Sequence, residues 1–196
     1  MNAPIAVERK RLSWLQIWLY AVLIPTQAHY RSIIAHPKCT TRIGLFWLAV
    51  SQLVAWNLVY YFKSGSEFLK YNQCVFLLSC VVILAISYAW IVLNHKVALN
   101  FDAKGSLSEL VFLWSAIATP LIVVGALLSI LPYGNWLTRA VSLYALVLYV
   151  MAIRVVYGLP LKKALLSFII SVLLGVLIIA LISIPIYAVA TIIRMQ

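Results

Sequence analysis

The residues able to do chemistry inside this chain are few. Glu109 and Arg154 are the ionisable pair within apolar stretches, and both fall at the same end of a hairpin. Charged groups in such stretches are functional candidates by default, because a bilayer penalises them. The spacing predicts an ion pair that latches two helices. Gln52, Thr119 and Pro120 form a second set near mid-bilayer. Pro120 frees the Ala116 carbonyl, and Thr119 or Gln52 is positioned to satisfy it. A kinked helix beside a buried amide is where a cavity for a solute is expected, with a hydrogen-bonded packed core as the alternative. The three histidines, His29, His36 and His95, have no metal-ligand spacing. No Gly-x-Ser-x-Gly turn and no phosphate-binding glycine loop is present. The expectation is a protein that is not an enzyme and needs no metal or cofactor.

These residues belong to five long apolar stretches, at about 43–62, 74–93, 107–131, 136–157 and 165–187, the last with an apolar tail to Ile193. A membrane-crossing helix needs roughly 20 apolar residues, and each stretch meets that length. With 65% hydrophobic and 10% charged residues, a soluble domain is excluded. The fold class is therefore all-α, an integral membrane bundle of five transmembrane helices (43–196) behind an N-terminal segment (1–42). Short connections make neighbouring spans antiparallel. In the last stretch, Pro185 is expected to bend the helix or turn its end along the interface.

The net charge of +11 follows from this architecture. Of the 15 Lys and Arg, eleven fall on one side if the N-terminal segment is cytoplasmic. The positive-inside rule then favours an inner N-terminus and an outer C-terminus, as in a bacterial cytoplasmic membrane. The clusters sit beside apolar spans, so the partners they suit are the lipid bilayer and its anionic headgroups, and no nucleic acid.

In the N-terminal segment the run 12–24 is too short to cross. Arg9, Lys10 and Arg11 precede it, and Trp14 and Trp18 lie within it. That pattern predicts an interfacial helix with its basic cluster on phosphates and its indoles at headgroup depth. A signal peptide is the rival reading; two Trp and a Gln in the apolar run weigh against it. Ser167, Ser171 and Gly175 recur at i, i+4 and i+8. Such a row of small residues predicts a helix-packing face, within the bundle first and between copies second. Cys39, Cys74 and Cys80 do not make a disulfide framework.

Three stretches resemble the Yip (Ypt/Rab-interacting protein) domain family, in particular its small bacterial members. The first is Pro25 followed by His29-Tyr30-Arg31-Ser32-Ile33-Ile34-Ala35-His36-Pro37, with Tyr30 where Phe is usual. The second is Ser115-Ala116-Ile117-Ala118-Thr119-Pro120-Leu121. The third runs from Tyr149 through Tyr157-Gly158-Leu159-Pro160-Leu161-Lys162-Lys163-Ala164. The resemblance covers residues 12–187. It implies a five-helix bundle with a cytoplasmic N-terminus, other membrane proteins as partners or self-association, and a scaffold or adaptor role. No catalytic residue carries over. A small transporter or permease-like subunit built around Gln52, Thr119 and Pro120 is the alternative.

Overall fold

The computed structural model describes residues 12–64, 73–101 and 103–194. Arg9, Lys10 and Arg11 lie outside the described residues. The chain is all-helical: α1 (Trp14–Val22), α2 (Gln27–Ile34), α3 (Thr41–Ser64), α4 (Gln73–Leu99), α5 (Leu107–Ile130), α6 (Gly134–Tyr157) and α7 (Leu161–Arg194). Helices α3 to α7 are each long and apolar enough to cross a membrane. The protein is an integral multi-pass membrane protein. The end of the bundle that holds the α2–α3, α4–α5 and α6–α7 connections is termed proximal, and the other end distal.

Local chemistry sets the helix ends. Ser106 and Glu109 form a reciprocal capping box at the start of α5: Glu109 N–H donates to Ser106 Oγ at 3.2 Å and Ser106 N–H to Glu109 Oε2 at 3.0 Å. Two of the orphan amides of the first turn are thereby satisfied. Ser13 and Gln16 do the same for α1. Gly158 ends α6 at φ 64°, a left-handed cap that glycine adopts without steric cost. Helix α4 runs on to Leu99, six residues past the end of the apolar stretch 74–93 and through the polar residues at 94–96. Asn94 is wholly buried and donates its amide to the Trp90 carbonyl at 2.9 Å, so a polar side chain is absorbed inside the helix. Helix α7 continues through Pro185 to Arg194 as one element.

Helix α5 is the centre of the bundle. Every residue from Leu110 to Thr119 is buried, and α1, α2, α3, α4 and α6 all pack on it. Helices α3 and α5 run parallel and level, because Thr41 Oγ1 lies 3.0 Å from Ser108 Oγ. Gly44 allows their close approach: a Cβ there would stand 3.0 Å from the Val111 carbonyl oxygen and 3.2 Å from the Phe112 Cα.

The two short helices are not spread over the bundle's end. They form an antiparallel hairpin alongside α5 and α6. At the proximal end, Trp14 lies 5.8 Å from the His36 ring, and the Lys38 ammonium sits 5.8 Å from the Trp14 ring centre. At the other end of α1, the Val22 carbonyl accepts a hydrogen bond from Tyr144. Tyr144 is near the middle of α6. The hairpin therefore starts and finishes at the proximal end and turns at Leu23–Thr26, half-way along the spans. Nine residues of α1 rise about 14 Å at 1.5 Å each, close to half of a 30 Å hydrocarbon core. Its inner face buries Ile17, Ala21, Tyr30 and Ile33, while Leu15, Leu19, Leu23 and Ile24 are exposed. An exposed apolar ridge of this kind is suited to lipid tails.

Candidate functional site where the hairpin meets the bundle

The hairpin is held by polar contacts that a two-helix packing does not by itself need. Tyr30 is fully buried, and its hydroxyl donates to the Ala21 carbonyl at 2.9 Å, tying α2 to α1. At the tip, Thr26 caps α2 and its Oγ1 lies 2.7 Å from His29 Nδ1. The His29 ring stacks on Tyr20, 4.5 Å between centroids.

Arg154 of α6 completes the attachment. A helical side chain leans toward the N-terminus of its own helix, and that direction on α6 leads from the proximal end inward, toward the hairpin tip. With its amide oxygen turned to the guanidinium, Gln27 lies 3.0, 3.1 and 2.8 Å from Arg154 Nε, Nη1 and Nη2. The opposite amide orientation would set donors against a cation. Near-equal distances to all three nitrogens place the oxygen over the guanidinium face, so a dipole solvates a charge where water is scarce.

Among the described residues no ion pair joins Glu109 to Arg154. The physical reason lies in the elements that carry them. Glu109 is the third residue of α5, and its carboxylate is used by the capping box. There it also meets the positive end of the helix dipole. Arg154 faces the hairpin and takes Gln27 instead.

The other candidate residues are placed as follows. The 67-residue offset between α3 and α5 sets Gln52 level with Thr119. No hydrogen bond joins them among the described residues. Thr119 is buried with Oγ1 unpartnered, so neither it nor Gln52 satisfies the Ala116 carbonyl. The hydroxyl buried on the α3 side is that of Ser51, which donates to the Leu48 carbonyl at 2.9 Å. Pro120 sits inside an uninterrupted α5. Trp14 and Trp18 are half-buried in an aromatic cluster: Trp18 meets Trp47 edge-on at 4.8 Å, and Trp14 lies 5.4 Å from Trp47 and 6.1 Å from Phe112. Ser167 and Ser171 are fully buried, and Ser171 Oγ donates to the Ser167 carbonyl at 2.9 Å. Gly175 faces α4, where an added Cβ would stand 2.3 Å from the Trp90 ring.

Sequence reasoning missed Gln27, Tyr30 as an anchor, Tyr144, and the contact of His95 Nδ1 with the Tyr157 hydroxyl at 2.5 Å. A mid-span tyrosine such as Tyr144 was the available signal, since a hydroxyl at mid-bilayer depth has no water to bond and needs a partner from the protein.

Cys39, in the α2–α3 connection, is a free thiol. Burial, with a smaller contribution from the Glu109 carboxylate, pushes its pKa up to about 12 from an ordinary 9.0. The thiolate is the nucleophile, so a shift from 9.0 to about 12 leaves about a thousandfold less thiolate near pH 8. In a background with Cys74 and Cys80 replaced by Ser, Cys39 alkylation should be slow at pH 8. Its rate should still be rising above pH 10, where an ordinary thiol has levelled off. A plateau by pH 10 would contradict this environment.

Comparison of the chain with family models, with curated proteins and with solved structures gives no match.

Proposed function

We propose that this protein is a membrane scaffold that acts by its shape, organising lipid and neighbouring membrane proteins without chemistry of its own. The observation that carries the reading is the half-depth hairpin. The described residues place seven helices in the proximal half of the bundle and five in the distal half. Two extra helices of about 10 Å diameter add roughly 160 Å² to one half of the cross-section. A body wider in one leaflet favours a membrane that curves away from that leaflet. Arg31, Lys38, Arg42, Lys104, Lys162 and Lys163 lie in or beside the proximal connections, which suits a cytoplasmic proximal end facing anionic lipid. The resemblance to Yip-domain proteins points the same way, toward a role in arranging membranes and partners. Electrostatic attachment through Arg9, Lys10 and Arg11 belongs to this reading too.

The test is curvature sorting. Fluorescently labelled protein, reconstituted into vesicles of mixed size, should be enriched severalfold per unit area on the smallest. Deleting residues 12–36 should abolish the enrichment while the five spans still insert. Even distribution of the intact protein, or sorting that survives the deletion, would refute the proposal.

A further inference from the structure

The two arms of the hairpin offer the bilayer different chemistry. Helix α1 exposes Leu15, Leu19 and Leu23, which suit lipid tails. Helix α2 lies alongside at the same depth and exposes Ala28, Arg31 and Ser32, with no large apolar side chain among them. Such a face gains little from lipid, and a charge on it is costly there.

Arg31 has a neighbour of the same sign. It follows Gln27 by four residues, so the two share one side of α2. That is the side that meets Arg154. Helices α2 and α6 both run toward the proximal end, which sets the two arginines along one seam. Arg154 is half-buried. Its guanidinium carries several N–H donors, yet among the described residues its one acceptor is the Gln27 oxygen, a dipole and not a charge.

Depth decides which anion can reach it. The eight residues of α2 rise about 12 Å at 1.5 Å each. The guanidinium resting on Gln27 therefore lies roughly 10 Å inside the proximal end of the hairpin. A lipid phosphate stays at the surface, so the anion has to be carried inward by protein.

The chain itself supplies little negative charge, with four carboxylates against 15 Lys and Arg. Glu109 is held by its cap. Glu8, Glu67 and Asp102 lie outside the described residues. Glu67 falls in the distal α3–α4 connection, Glu8 is followed directly by Arg9, Lys10 and Arg11, and Asp102 stands two residues from Lys104.

We propose that the α2–α6 seam docks a membrane-embedded helix of another protein, whose Asp or Glu about two turns inside its proximal end pairs with Arg154 and Arg31. Ionisable groups within a membrane pair with one another, and charge complementarity here calls for an acid. A second copy of this chain does not fit, because its described residues offer no carboxylate except the capped Glu109. The assignment names a partner for the scaffold reading and rests on its half-depth hairpin, not on curvature.

The experiment reconstitutes the intact protein in phosphatidylcholine vesicles at pH 8. The probe is a fluorescent leucine–alanine transmembrane peptide with one Glu two turns from an end, and association is read by energy transfer. The same peptide with Gln is the reference. The Glu peptide should bind about tenfold more tightly, and Glu at the peptide's centre should lose most of that gain. Arg31→Gln and Arg154→Gln should each lower the preference and together abolish it, while Arg154→Lys should keep part of it. Equal binding of the Glu and Gln peptides to the wild type, at every position of the Glu, would overturn the docking and leave the hairpin standing. A preference for Glu at the peptide's very end would instead overturn the depth, and with it the half-depth hairpin. A preference seen only in Glu8→Gln with Asp102→Asn would show that the chain neutralises its own arginines, against the proposal. Loss of the preference when phosphatidylglycerol is added would assign the seam to lipid, also against it. If Arg154→Gln releases the hairpin, seen as lost amide protection in α1 and α2, the exposed Arg31→Gln and the Glu position series still decide.

Discussion

Gly44→Leu is expected to destabilise the bundle strongly. The parallel packing of α3 against α5 rests on backbone contact, with the Val111 carbonyl 3.0 Å from where the first added carbon would stand. Val111 and Phe112 are themselves buried in the most enclosed part of α5, so the strain cannot be relieved by turning a side chain away. Overpacking costs about 1–3 kcal/mol where neighbours can yield. Here a backbone must move, and the expected loss lies at or above the top of that range. It should appear as a large fall in the thermal midpoint in detergent. Gly44→Ala should show a smaller loss of the same sign. Gly175→Ala meets a Trp90 ring instead; the ring can swing, so its cost should be smaller than that of Gly44→Ala. An equal loss at the two glycines would mean that the α3–α5 seam has more slack than these distances allow.

The second large effect is local. Tyr30→Ala should release the hairpin and leave the five spans folded. Tyr30 fills the space between α1, α2 and the bundle with no exposed surface, and it ties the Ala21 carbonyl. Truncating an aromatic residue in an aqueous core costs about 3–5 kcal/mol. Lipid tails can fill part of the gap, so about 2–4 kcal/mol is expected for this hairpin. Tyr30→Phe keeps the packing and loses only the hydrogen bond, at about 1–3 kcal/mol for the carbonyl left unpaired. Hydrogen exchange by mass spectrometry separates the two levels. Amides of α1 and α2 should lose protection in Tyr30→Ala, while those of Leu110–Thr119 keep theirs. Loss of protection in both regions would show that the hairpin and the spans unfold as one unit.

The legible and illegible parts of this fold differ for physical reasons. Five spans are legible because bilayer thickness imposes a length that composition reveals directly. The hairpin is not. Its arms are eight and nine residues long, too short for any length rule, and α2 is polar enough to read as a connection. Pro25 marks the break, but a break does not say that the chain turns back toward its starting end. That depends on Tyr144 reaching the Val22 carbonyl, and Tyr144 looks like any aromatic residue in an apolar run. Glu109 teaches a different lesson. The Ser106-x-x-Glu109 spacing is a capping-box signature, and it competes with the reading of Glu109 as the partner of Arg154. Local geometry won, because a cap three residues away costs less chain entropy than a pair across two helices. Arg154 then took the nearest dipole, Gln27, whose place beside α6 no periodicity could reveal.

Residues 14–34 are expected to enter one half of the bilayer and come back out. Depth-dependent quenching measures this directly. A bimane label at Ile24→Cys, in a cysteine-free background in vesicles, should be quenched most by lipids carrying the quencher near the end of the acyl chain. The same label at Ser13→Cys should be quenched most by lipids with the quencher near the headgroup. If Ile24 and Ser13 are both quenched at headgroup depth, the two helices lie flat on the surface and the half-depth hairpin is wrong.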